Sequence, residues 1–138
     1  MLKIAPLINS GIIIGIILFQ SLLVAPGINE IISTKEASLF LRFIWPKFFL
    51  IIGIISIISF IILSFYNKIQ KLPKVFFIIS FLLMVACYLI TPFINEAKDS
   101  NNEMLWSILH LLTIFFTLIT LILNFLIIIY WKFESKSI

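Results

Sequence analysis

The sequence predicts an all-α integral membrane protein: a four-transmembrane-helix bundle with a short interfacial amphipathic helix between helices one and two. Three observations predict it. Of the 138 residues, 62% are hydrophobic and the mean hydropathy is +1.24, whereas a globular domain is about half apolar. Four apolar segments, about 7–25, 47–66, 75–92 and 105–131, reach the length that crosses a bilayer core of ~30 Å. Charged residues gather between and outside these segments. Residues 1–138 read as a single domain, with no repeat and no linker.

The first segment, Leu7 to Ala25, follows Lys3. A signal peptide has a shorter apolar core, and Pro26 directly after Leu23-Val24-Ala25 opposes cleavage. An uncleaved helix is expected. Gly11 and Gly15 form a G-x-x-x-G pair that can admit a close helix. Asn9 and Gln20, eleven residues apart, share a face.

Gly27 and Asn29 read as a turn. Ser33-Thr34-Lys35-Glu36 fits a capping box, with Ser33 as N-cap. Lys35, Ser38 and Arg42 then share one face, and Ala37, Phe40, Leu41, Phe43 and Ile44 cover the rest. This pattern suggests the interfacial helix, about 34–45. Trp45-Pro46 is expected to separate it from helix two, because Pro disfavours helix at the preceding residue. Trp45 is a natural interfacial anchor.

Helix two is expected over Lys47 to Tyr66, with Gly53, Ser56 and Ser64 on one arc with Phe60. Asn67 to Lys74 reads as a basic loop. Helix three is expected over Val75 to Pro92, with Ser80, Met84, Cys87 and Thr91 within an arc of roughly 60°. Phe93 to Met104 reads as a polar loop carrying Glu96, Lys98, Asp99 and Glu103. Helix four, Leu105 to Trp131, bears His110, Thr113, Thr117, Thr120 and Asn124 within roughly 80° of arc.

The net charge of +4 follows from orientation. Four spans put both termini on one side, together with Lys3, Lys68, Lys71, Lys74, Lys132 and Lys136. The other side holds Arg42 and three lysines, Lys35, Lys47 and Lys98. The positive-inside rule then makes both termini cytoplasmic. The bilayer and its anionic headgroups are the expected partners, and nucleic acid is not. The abundance of isoleucine fits the AT-rich coding of some small bacterial genomes, so a bacterial inner (cell) membrane is expected.

One cysteine, Cys87, excludes an internal disulfide and a multi-cysteine metal site. One histidine, His110, excludes a bis-histidine haem within one chain. No H-E-x-x-H, P-loop or G-x-S-x-G motif is present, and no carboxylates pair within a span. No catalytic residue or cofactor is firmly implied.

Counting inward from the non-cytoplasmic ends, Gln20, Gly53, Cys87 and His110 all lie ~8–9 Å deep. Two readings of this layer are open. Polar groups in membrane helices join neighbouring helices, and threonines bond their own backbone carbonyls. An ionisable residue inside a span, here His110, instead marks a functional site. On the second reading the candidate ligand-binding residues are His110, Cys87, Gln20, Trp106, Thr113 and Arg42. Phe60, Phe115 and Phe116 could add to an aromatic wall. The ligand would be a small hydrophobic molecule, a quinone or a porphyrin. Copper is a further option, since Cys87 and Met84 are soft donors that suit Cu(I) alongside imidazole. Arg42 is expected to fold over the bundle mouth towards Glu103 or the first loop.

Several short motifs are familiar together: Val24-Ala25-Pro26 at the end of helix one, Leu41-Arg42-Phe43-Ile44-Trp45-Pro46-Lys47-Phe48-Phe49 before helix two, and Trp106-Ser107-Ile108-Leu109-His110 opening helix four. In this order the chain resembles the uncharacterised four-helix membrane family that includes transmembrane protein 205. Ala37-Ser38 stands where that family has Ala-Gly, and Trp45 where Phe is commoner. The resemblance implies a membrane location and four helices, and no particular chemistry. The expected role is a non-enzymatic subunit or accessory factor, as a homo-oligomer or with a membrane-complex partner. The alternative is a membrane oxidoreductase or carrier using the site near His110.

Overall fold

Pro26, Pro46 and Pro92 all lie within helical stretches, and the fold depends on how the chain absorbs each of them. The computed structural model describes residues 4–66 and 71–134. Its first helix, α1 (Ala5–Phe19), runs through a π-helical turn (Gln20–Val24) into α2 (Ala25–Ile31). Then come α3 (Thr34–Tyr66), α4 (Lys71–Asp99) and α5 (Glu103–Glu134). The described residues form no strand. Four helical stretches are long and apolar enough to cross a membrane, counting Ala5–Ile31 as one.

Pro26 lacks an N–H, and in a regular helix its ring would meet the carbonyl four residues back. The π-helical turn just before it widens the backbone there, and Pro26 then occupies the first turn of α2, where no N–H is needed. The Ala25 N–H donates to the Gln20 carbonyl, and Pro26 has nothing to donate to the Ser21 carbonyl. The turn expected at Gly27 and Asn29 is instead helical, and Asn29 Nδ2 donates to the Ala25 carbonyl at 2.9 Å.

The break expected at Trp45-Pro46 is absent. Thr34–Tyr66 is one continuous helix with Pro46 inside it. The side chains on either side of Pro46 explain how it is accommodated. Trp45 stacks on Phe49 at 5.7 Å and meets the edge of Phe48 at 5.3 Å. These are neighbours one turn apart, which only a continuing helix brings together. The start of α3 keeps the expected capping box: Glu36 N–H donates to Ser33 Oγ at 3.4 Å, and Ser33 Oγ donates to Glu36 Oε2 at 2.6 Å. Its apolar residues Leu39, Phe40 and Phe43 face outward.

Pro92 likewise fails to end its helix, since α4 continues to Asp99. The expected polar loop of residues 93–104 shrinks to three residues, Ser100 to Asn102. Asn101 takes the left-handed conformation, with φ at 55°. Its N–H donates to the Lys98 carbonyl at 3.2 Å, and the Asn102 N–H to the Ala97 carbonyl at 2.9 Å. Together these form a Schellman stop, with Asn in place of the usual Gly. Asn102 then caps α5 by accepting the Leu105 N–H at 3.1 Å on Oδ1. At its other end α4 begins at Lys71, so Lys71, Pro73 and Lys74 of the expected basic loop are helical. Lys3, Lys68 and Lys136, part of the orientation reading, lie outside the described residues.

The four long helices form a ring in which α1 and α4 each pack on both α3 and α5. Among the described residues the diagonal pairs do not meet. Gly53 of α3 lies against Met84 of α4, where an added Cβ would sit 3.6 Å from the Met84 Cβ. Asn9 Nδ2 of α1 donates to Ser59 Oγ of α3 at 2.8 Å. The core is built from Ile13, Ile17, Phe48, Ile52, Phe77 and Ile127, among others. Gly11 and Gly15 are exposed with nothing within 4 Å of an added Cβ, so their close-approach face points away from the bundle.

Candidate functional site

The polar stripe of α5 turns into the bundle. Thr120 and Asn124 are fully buried, and Thr113 and Thr117 nearly so. A regular helix leaves each threonine hydroxyl beside a carbonyl three or four residues back. Thr113 donates to the His110 carbonyl, Thr117 to the Thr113 carbonyl and Thr120 to the Phe116 carbonyl, at 2.8–3.0 Å. Asn124 Nδ2 donates to the Thr120 carbonyl at 2.8 Å and reaches Ser80 Oγ of α4 at 3.5 Å. The lower stripe therefore joins helices.

The upper stripe opens into a cavity of about 650 Å³. Its polar end is walled by Asn29, Ser38, Arg42, Asn95, Lys98 and His110. Its deep end is apolar, with Ile17, Leu18, Phe49, Leu118 and Leu121. Trp45 and Thr113 lie between the two ends, and Trp106 stands at the polar rim, one turn above His110 and under Lys98. Leu22, Ile114 and Leu118 line the cavity while being half or more exposed. Thus the cavity also opens sideways, between the π-helical turn and α5. The outward apolar surface on either side of this gap is the kind that faces lipid.

Among the residues expected at the site, Arg42, Trp106, His110 and Thr113 line this one cavity. Trp106 and His110 stack nearly parallel, at 5.3 Å and 7°, one turn apart on α5. The other candidates sit elsewhere. Cys87 is fully buried behind the wall, with its thiol directed at the Thr113 carbonyl at 3.9 Å. Gln20 is buried in the π-helical turn with its Nε2 unpartnered, and it does not line the cavity. Met84 packs beside Gly53 and lines a separate cleft of about 80 Å³. The level shared by Gln20, Gly53, Cys87 and His110 along the helices is thus not one meeting point. Phe60, Phe115 and Phe116 do not line the cavity either. Among the described residues, no three His, Cys, Asp or Glu side chains come together to hold a metal ion.

Arg42 does fold over the mouth, but its partner is Asp99 rather than Glu103. Nη2 donates to Oδ1 at 2.6 Å and Nη1 to Oδ2 at 3.0 Å. The hydrogen bonds from Arg42 hold the Asp99 carboxyl below the usual carboxylate range, and the same bonds raise the guanidinium further above its ordinary value. A carboxylate at the end of α4 faces the unfavourable pole of the helix dipole, and Arg42 offsets this. Glu103 instead accepts from Lys98 Nζ at 3.0 Å. The same ammonium lies 4.4 Å from the centre of the Trp106 ring, a cation–π contact.

Thr91, Asn95 and Lys98 also line the cavity; the sequence suggests a loop at Asn95 and Lys98, whereas Thr91 falls on the expected arc of helix three with Cys87. The signal was present. The arc of Ser80, Met84, Cys87 and Thr91 continues at helical spacing to Asn95 and Lys98 if the helix passes through Pro92. No protein-family model matches the chain, and no curated protein or solved structure is significantly similar to it.

Proposed function

We propose that this chain is a multi-pass membrane protein that carries out no reaction of its own and holds a small amphipathic molecule in the cavity that all four long helical stretches line, as a binding or accessory factor. One observation carries this reading: a cavity of about 650 Å³ graded from polar to apolar. Ligand pockets commonly fall at roughly 300–1,000 Å³, with mostly apolar walls and a few convergent polar groups. The gradient runs along the helix axes, as an amphiphile within a bilayer would lie.

Membrane insertion is supported by the four apolar helices and by Leu22, Leu82, Leu89 and Leu111, which are exposed on their outer faces. Cytoplasmic termini in a bacterial inner membrane remain part of the proposal, resting on the distribution of basic residues. The cavity mouth would then open on the non-cytoplasmic side. The first turns of α3 would lie at the level of the headgroups, with Trp45 as anchor. Membership of the family that includes transmembrane protein 205 rests on the short motifs alone.

Quinone and porphyrin draw support from the parallel Trp106 and His110 rings beside the cavity. Copper draws less, because His110, Cys87 and Met84 line three different surroundings. Mass spectrometry of protein purified from its native membrane in a mild detergent tests the reading. A retained small molecule is expected, and it should be lost when Thr117→Phe fills the middle of the cavity. Protein that carries no small molecule, and takes up none when amphiphiles are offered, would overturn it.

A further inference from the structure

The walls of the cavity carry charge of one sign. Arg42 and Lys98 line it, and no Asp or Glu side chain does. Their partners Asp99 and Glu103 stand outside the lining, in water-exposed positions. Neither cation is used up by its partner. A guanidinium has five N–H donors and Asp99 accepts two; an ammonium has three and Glu103 accepts one. Exposed ion pairs are weak and easily exchanged. The deep end is formed by Ile17, Leu18, Phe49, Leu118 and Leu121. From His110 to Leu121 the lining of α5 descends eleven residues, or ~16 Å. This is a long apolar shaft beneath a cationic rim, open sideways at Leu22 and Leu118.

From this charge complementarity we infer that the occupant is a single-chain anionic amphiphile, a carboxylate or phosphate head on an alkyl chain, with its head at Arg42 and Lys98 beside Trp106 and its chain descending past Trp45 and Thr113. This rests on the amphiphile-binding reading above and adds the class of ligand. A planar neutral molecule without an anionic group would leave the remaining N–H donors of Arg42 and Lys98 without an acceptor in the cavity.

Trp45 and Trp106 provide the readout, since both line the cavity. The full chain is placed in nanodiscs of zwitterionic lipid and titrated with dibromostearic acid, whose bromines quench nearby indoles. Saturable quenching is expected. Oleate or an oleoyl lysophosphatidate should reverse it, and the stronger competitor identifies the head as carboxylate or phosphate. Methyl oleate should compete roughly tenfold more weakly, the size of one charge-assisted hydrogen bond. Lys98→Gln, which leaves the Arg42–Asp99 pair in place, should weaken the acid by a similar factor and leave the ester unchanged. Equal competition by acid and ester would overturn the anionic head while sparing the amphiphile reading. Saturable quenching by neither dibromostearic acid nor its methyl ester would overturn both.

Discussion

Arg42 and Asp99, fifty-seven residues apart, form a two-point ion pair that ties the first turns of α3 to the last turn of α4. The pair holds Arg42 over the cavity mouth. Because the folded-state value of Asp99 is depressed, its contribution is fully present above the unfolded value near ~3.9. It is lost as pH falls through the lower folded value. The difference in thermal stability between wild type and Asp99→Asn should therefore be constant from about pH 5 to about pH 8 and shrink in stronger acid. A difference that grows on acidification would contradict the assignment.

Pro26 is the reason for the π-helical turn, so Pro26→Ala should allow a regular helix from Ala5 to Ile31. Removing one extra residue from the turn rotates everything beyond it by about 100°. Asn29 and Leu22 would then leave the cavity wall. Cysteine accessibility scanned along residues 18–30 should shift phase in the variant. An unchanged pattern would mean that tertiary packing, and not proline, sets the turn.

Asn9 and Ser59 join α1 to α3 through one hydrogen bond of 2.8 Å. A double-mutant cycle with Asn9→Ala and Ser59→Ala should give a coupling of about 0.6 kcal/mol, as interhelical hydrogen bonds in membranes do on average. Unfolding in mixed micelles supplies the measurement. A coupling near zero would show that each side chain finds another partner on its own.

Gly53 and Gly15 should respond in opposite ways to bulk. An added Cβ at Gly53 makes an ordinary 3.6 Å contact with Met84, so Gly53→Ala should be tolerated. Gly53→Leu should lose roughly 1–3 kcal/mol by forcing α3 from α4. Gly15→Leu meets open space and should leave the monomer's stability nearly unchanged. Thermal denaturation of the three variants in detergent decides this, and a damaged Gly15→Leu monomer would place that face inside the bundle.

Much of the fold is legible in the sequence because apolar length is a local property. The four long stretches, the Ser33 capping box and the inward stripe on α5 all follow from spacing. The helix boundaries do not, because proline by its local chemistry signals a helix end whether or not the surrounding bundle carries the helix through it. Pro46 and Pro92 sit inside α3 and α4, and membrane-type helices keep such residues when neighbouring helices support the backbone. That extension of α4 placed Asn95 and Lys98 on the cavity wall, where the sequence suggested a loop. Cys87 and Gln20 show the opposite limit: equal depth along two helices says nothing about which way each helix is turned.

By itself the sequence determined that the chain is helical, apolar enough to span a membrane, and polar along one face of its last helix. These are consequences of composition and of a periodicity of 3.6 residues. Only the tertiary structure decided that Arg42 pairs with Asp99, that Cys87 lies behind the wall, and that a graded cavity opens beside the π-helical turn. Those outcomes depend on the rotation and register of helices against one another. Rotation and register are set by packing across the ring, at sites such as Gly53 on Met84, and no single helix encodes them.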